Sequence, residues 1–175
     1  MPTSLDNHRE NIAKIVKEYD IKTALELGLE GGIATEELLK CGVLVDTIDI
    51  KRSVDTEKRI KSKGLDENWS FILGDVEKLL PTITKKYDMV YMDVTYYDKG
   101  FEYGSPEALK YGKECWERDI KICWNIAGKI LVVNDYINAV QQRTAPRIEF
   151  NNFACVLDRF FKVYHTRGGM AVICK

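Results

Sequence analysis

Apolar runs in this chain repeatedly close on a carboxylate. Glu26 sits within ALEL, VDTI leads to Asp49, FILG to Asp75, VYM to Asp93 and LVVN to Asp135. Short apolar runs between helix-like segments predict the parallel strands of an α/β sheet buried on both faces. In such sheets ligands bind beyond the carboxyl ends of the strands, where the strand order reverses. Acids that mark strand ends simply as loop starters account for one or two of these positions more easily than for all five. A row of acids along one edge costs folding energy through mutual repulsion and lost hydration. The row therefore predicts a binding edge.

The turn after the first run reads Glu26-Leu27-Gly28-Leu29-Glu30-Gly31-Gly32. A dinucleotide fingerprint needs glycine at the first, third and sixth positions, and Glu30 and Ile33 stand at the third and sixth. No phosphate-binding lysine loop and no G-x-S-x-G elbow occurs, so nicotinamide, phosphoryl and serine-hydrolase chemistry lose their sequence support. The glycines still allow close backbone approach to a ligand, and the next helix offers free N–H groups to a carboxylate. Asp49 follows about 20 residues later, the spacing at which an acid reaches a ribose diol. Together they favour a nucleoside-bearing ligand.

The elements that must position these residues follow from periodicity. Asn7 with Glu10 predicts a helix cap, and Ile12, Ile15, Val16 and Tyr19 recur at helical spacing, giving a first helix that packs on the sheet or lids the site. Strands are expected at Thr23–Leu27, Val43–Asp49, Ser70–Leu73, Tyr87–Asp93, Ile130–Asn134, Phe160–His165 and Met170–Cys174. Helices are expected at Ile33–Lys40, Val54–Lys63 and Val76–Leu80, the last stopped near Pro81. A long helix is capped by Ser105 with Pro106 at its first position and ended by Gly128. Gly168-Gly169 predicts a hairpin that reverses one edge of the sheet. The fold class is thus a doubly wound, Rossmann-like α/β sheet of seven mostly parallel strands with an antiparallel C-terminal hairpin.

With 175 residues and neither repeat nor linker, the chain is read as a single domain, 1–175. A net charge of −1 supplies no field for nucleic acid or anionic membrane. No run approaches a membrane span and the N-terminus lacks a signal-type apolar stretch. The scattered cysteines (Cys41, Cys115, Cys123, Cys155, Cys174) contain no C-x-x-C pair and suit a reducing cytoplasm. Two histidines, His8 and His165, exclude a histidine-rich metal site. An aromatic loop and a long helix are compatible with a homodimer.

The ordered set E-L-G-x-x-x-G (Glu26, Gly28, Gly32), T-I-D (Asp49), F-I-L-G-D (Asp75), Y-D-M-V-Y-M-D (Asp93) and G-K-I-L-V-V-N-D (Asn134, Asp135) resembles class I S-adenosylmethionine-dependent methyltransferases. It is most similar to the small O-methyltransferases of the catechol and caffeoyl-CoA type, over nearly the whole chain from Thr23. The resemblance implies that Glu26, Gly28 and Gly32, with Glu30 in the same turn, line the methionine end of the cofactor. Asp49 would hold the ribose, Asp75 with Val76 would flank the adenine, and Asp93 would also border the cofactor. A sulfonium cation is favoured beside carboxylates, in agreement with the acid row.

The resemblance also implies an acceptor site at Asp93, with a Mg²⁺ or other divalent cation held by Asp93, Asn134 and Asp135 as an option. The family's Asp-Asn order is inverted here to Asn134-Asp135, and its catalytic lysine is replaced by Tyr96, so that lysine mechanism does not transfer. Asn134 is open between capping the strand end and binding metal, and a metal-free enzyme stays open. Tyr96 and Asp98 are base candidates by location. Val94 to Tyr103 is expected to cover a small-molecule acceptor.

Three other readings compete. Asp93-Val94-Thr95 with Gly104-Ser105-Pro106-Glu107 is also similar to spermidine-synthase-like aminopropyltransferases, but the chain lacks room for their extra β domain. A nucleic-acid methyltransferase would use the basic segment Lys51 to Lys63, yet acids interleave with it and no N-P-P-Y motif occurs. A non-catalytic cofactor-binding module is the third.

Overall fold

A computed structural model describes residues 4–94, 100, 105–134, 161–164 and 170–175. In chain order the elements are α1 (Ser4–Glu18), β1 (Thr23–Leu27), α2 (Ile33–Lys40), β2 (Leu44–Asp49), α3 (Val54–Ser62), β3 (Trp69–Leu73), α4 (Val76–Leu79), β4 (Tyr87–Met92), α5 (Pro106–Ile126), β5 (Ala127–Val133), β6 (Phe161–Tyr164) and β7 (Met170–Cys174). The sheet order is β3-β2-β1-β4-β5-β7-β6. The pairs from β3 through to β5 are parallel, and β7 is antiparallel to both β5 and β6.

Side-chain alternation sorts the strands into two cores. Ala24, Val45, Met89, Tyr91, Ile130 and Val132 face α1, α2 and α3. Leu25, Leu27, Ile48, Val90, Met92, Leu131 and Val133 face α4 and α5. Apolar residues at consecutive positions are the signature of strands covered on both faces. On α1, Ile12, Ile15 and Val16 are buried in the first core, so this helix packs on the sheet. His8 on α1 lies 3.3 Å from the Tyr91 hydroxyl.

Several local expectations change. The first helix begins at Ser4, which puts Asn7 inside it and not at its cap. Gly128 does not end the long helix. The chain leaves α5 at Ile126 and enters β5 directly, with Ala127 extended and Gly128 within the strand. A Cβ on Gly128 would stand 3.1 Å from the Tyr87 carbonyl, so the close approach of β4 is what that glycine serves. The reversed strand is not at the edge. β7 inserts between β5 and β6, which leaves edge strand β6 running with the parallel set. Val76–Leu79 is continued by a 3₁₀ turn through Pro81 at Leu80–Thr82, and a further 3₁₀ turn, Asp66–Asn68, precedes β3. Ser105 caps α5 as expected, accepting from the Ala108 N–H with Pro106 at the first position. Gly168-Gly169 and His165 lie outside the described residues.

Candidate functional site

The order β2-β1-β4 reverses between β1 and β4, so the crevice beyond their carboxyl ends is the switch point. Backbone bonds extend the ladder past the ends of β3, β1, β4 and β5. Gly74 N–H donates to Asp49 O, Gly28 N–H to Ile48 O, Asp93 N–H to Leu27 O and Asn134 N–H to Met92 O, at 2.8–2.9 Å. These bonds set Asp75, Asp49, the glycine turn, Asp93 and Asn134 along one edge in that spatial order.

Gly28 has φ +88°, and a Cβ there would lie 2.1 Å from the Asp93 carbonyl oxygen. The turn therefore touches the end of β4 backbone to backbone. Gly32 caps α2 in the left-handed region, φ 65°, and a Cβ there would lie 2.3 Å from Thr56 Cγ2. Both positions need glycine for space as well as conformation.

Asp49 braces this turn. Its Oδ2 accepts from the Leu29 N–H at 2.6 Å and its Oδ1 from the Lys51 N–H at 2.7 Å. Asp75 caps α4, accepting from the Glu77 N–H at 3.0 Å. Asp93 Oδ1 accepts from Asn134 Nδ2 at 3.0 Å, which ties the ends of β4 and β5 together.

Glu26 is 1% exposed and points towards α2. Its Oε2 accepts from Thr35 Oγ1 at 2.5 Å and Thr47 Oγ1 at 2.8 Å. The Trp69 indole N–H donates to Thr47 Oγ1 at 3.0 Å, and an indole can only donate. Thr47 must then accept from Trp69 and direct its own proton to Glu26. Burial pushes the Glu26 carboxyl up to about 8, against the two threonine bonds that lower it, while the nearby Asp93 charge adds a smaller upward push.

No protein-family model matches the chain, and no curated protein matches it in sequence. Its likeness is to solved structures. TomG, an O-methyltransferase from Streptomyces achromogenes involved in tomaymycin synthesis and crystallised with SAM, is matched at a TM-score of 0.72 and 16% identity, over 95% of this chain and 78% of that one. An O-methyltransferase from Bacillus cereus in complex with SAH gives 0.67 and 13%, over 96% and 80%. The SAH-bound methyltransferase PaMTH1 of Podospora anserina gives 0.62 and 12%, over 99% and 88%. The chain has the class I methyltransferase fold. Nothing in these likenesses favours an aminopropyltransferase or a nucleic-acid enzyme.

Within this methyltransferase fold the expected cofactor residues Glu26, Gly28, Glu30, Gly32, Asp49, Asp75, Val76 and Asp93 all lie at or just beyond the ends of β1, β2, β3 and β4. Glu30 is exposed with φ 42°. Asp135, Tyr96, Asp98 and the rest of the expected acceptor cover beyond Val94 lie outside the described residues, except Gly100. Sequence reading missed two apolar residues beside the acids. Ile50 is 59% exposed next to Asp49, and Leu73, paired with Asp49 in register, is 60% exposed. Their signal was the continuation of each apolar run past or up to its acid, which reads as strand core until burial is known.

The basic α3 segment is only partly solvated. Arg59 and Lys63 turn to the carboxylate of Glu36 on α2, whose side chain is fully buried, at 2.8 and 2.6 Å. Lys40 and Arg9 reach the same carboxylate at 2.9 and 3.7 Å. These cations hold Glu36 down to about 2 even though burial pushes the other way. Cations engaged in this way are not a free face for phosphates.

No helix among the described residues is long and apolar enough to cross a membrane. Cys41, Cys115, Cys123 and Cys174 are free thiols, and Cys155 lies outside the described residues.

Proposed function

We propose that this chain is an S-adenosylmethionine-dependent methyltransferase acting on an oxygen of a small molecule. The observation that carries this reading is the junction at the switch point, where the Gly28 turn touches the end of β4 between Glu26, Asp49 and Asp93. The reading takes residues 1–175 as one domain built on the seven-stranded methyltransferase sheet. A cytoplasmic setting agrees with the free thiols, and pairing with a second copy is compatible with it.

The cofactor supplies an electrophilic methyl group on a sulfonium. Asp49 offers carboxylate oxygen to the ribose diol while bracing the turn. Ile50 and Leu73 present apolar side chains, and Asp75 with Val76 closes the adenine side. Glu26 places negative charge beneath the methionine end when ionised. Asp93 orients the acceptor hydroxyl and draws on its proton as the new C–O bond forms and the C–S bond breaks. Tyr96 is the further base candidate for that proton.

The metal option can be weighed on the Asp93–Asn134 pair. Among the described residues Asn134 Oδ1 is buried without a hydrogen-bond partner, while its Nδ2 is committed to Asp93. A carboxylate beside an orphaned amide oxygen fits a hard cation such as Mg²⁺. Among the described residues no group of three acid, histidine or cysteine side chains gathers, so a complete site depends on Asp135. Asp93, Asn134 and Asp135 would hold the ion, which would lower the acceptor hydroxyl's pKa.

Calorimetry with SAH tests the cofactor reading. Wild type is expected to bind, and Asp49→Ala to bind about 10–100-fold more weakly, the equivalent of about 1.5–3 kcal/mol for a lost charged contact. Asp49→Asn, which can still accept from the Leu29 N–H, separates the ribose contact from the brace. Equal affinity in wild type and both variants would remove Asp49 from the site.

Methyl transfer from labelled cofactor to a panel of phenols tests the chemistry. Asp93→Ala is expected to lose turnover while still binding SAH. If a metal serves, EDTA abolishes turnover and Mg²⁺ restores it. Undiminished turnover in EDTA removes the metal and leaves the methyltransferase, whereas undiminished turnover in Asp93→Ala removes the acceptor site.

A further inference from the structure

We propose that Arg59 is a positioning residue that sets the conformation of the glycine turn, resting on the reading of that turn as the cofactor site. The Gly31 carbonyl accepts from Arg59 Nη2 and, at 3.4 Å, from Thr56 Oγ1, two residues on one face of α3. The N–H on the other side of the same peptide, that of Gly32, donates to Leu29 O at 2.6 Å. Because a peptide unit is planar, gripping its carbonyl from α3 and its N–H from Leu29 fixes the whole Gly31–Gly32 plane. Gly32 is the N-cap of α2, with no side-chain cap, so that plane aims the first free N–H groups of α2.

Arg59 is itself held. Its Nε donates to Glu36 Oε2 at 2.8 Å while Nη2 reaches Gly31, so one rigid guanidinium spans the buried carboxylate and the turn. A lysine carries a single point of donation and cannot replace both arms of that fork. Lys63 and Lys40 share Glu36 at 2.6 and 2.9 Å, and their ammonium contacts are with carboxylates of α2 and not with the turn. The network thus contains its own control, since Arg59 joins it to the turn and Lys63 only neutralises Glu36.

The test compares wild type, Arg59→Gln, Arg59→Lys and Lys63→Gln. SAH affinity is read by calorimetry, melting temperature by thermal unfolding, and exchange of the turn's amides by hydrogen–deuterium exchange without ligand. Arg59→Gln and Arg59→Lys are expected to weaken SAH about tenfold and to speed exchange across residues 29–34. With labelled cofactor, KM for SAM should rise while kcat at saturation changes little. Lys63→Gln should lower the melting temperature yet keep SAH affinity within about twofold and leave turn exchange unchanged. Equal loss of affinity in Arg59→Gln and Lys63→Gln, or full affinity in Arg59→Lys, overturns the proposal in favour of a plain helix staple. If wild type fails to bind SAH, the cofactor reading falls, and the exchange comparison alone still decides whether Arg59 holds the turn.

Discussion

Gly28→Ala is expected to destabilise the protein by about 3 kcal/mol or more and to abolish SAH binding. Two effects add. The backbone φ of +88° disfavours any Cβ, and the new methyl would stand 2.1 Å from the Asp93 carbonyl oxygen. That oxygen belongs to backbone at the end of β4, so no side-chain rotation relieves the overlap. The strands must part where the ligand is proposed to sit, and Asp93 moves with them. For a chain of this size the loss corresponds to a fall in melting temperature of roughly 6–12 °C. Gly31→Ala is the matched control, because a Cβ there meets nothing within 4 Å. It should melt close to wild type. A Gly28→Ala protein that melts and binds like wild type would show that the turn does not pack against β4 as described.

Glu26→Gln carries the second large effect, and its signature is pH dependence. A glutamate carboxyl in the unfolded chain titrates at 4.5, and the folded one is raised to about 8 by burial. Between those values the folded state keeps a proton that the unfolded state has released. Stability therefore falls as pH rises through that window, by about 1.4 kcal/mol per unit and roughly 4–5 kcal/mol in total. Glutamine has no proton to lose, so the difference in stability between Glu26→Gln and wild type should grow in the variant's favour from pH 5 to pH 8. Ligand binding should show the opposite trend. The sulfonium of SAM favours ionised Glu26, so wild-type affinity for SAM is expected to rise towards pH 8, with proton release detectable as a buffer-dependent binding enthalpy. Glu26→Gln should bind more weakly at pH 8 with no such release. Parallel pH profiles of stability in wild type and variant would refute the buried, protonated carboxyl.

The tertiary packing around Glu26 explains why only part of this state was legible in advance. Glu26 was singled out as an acid at a strand end, but its partners Thr35 and Thr47 come from α2 and β2, and Trp69 from β3 orients one of them. No spacing rule relates those positions. The same holds for Glu36, which looks like an ordinary surface acid on an amphipathic helix. It is buried because α1 and α3 bring Arg9, Arg59 and Lys63 to it from outside its own helix.

By itself the sequence determined the alternation of strands and helices, the placement of acids and glycines along one edge, and the exclusion of dinucleotide and P-loop chemistry. Those are local matters, since apolar runs, caps and glycine spacing act over a few residues. Only the tertiary structure decided that β7 enters between β5 and β6, because strand order depends on which edges meet after the chain has wound. It alone decided that Gly28 touches Asp93, that Asp49 braces the turn through Leu29, and that α3 holds the turn through Arg59. Each is a contact between residues about 20 or more positions apart, set by packing distance and not by sequence interval.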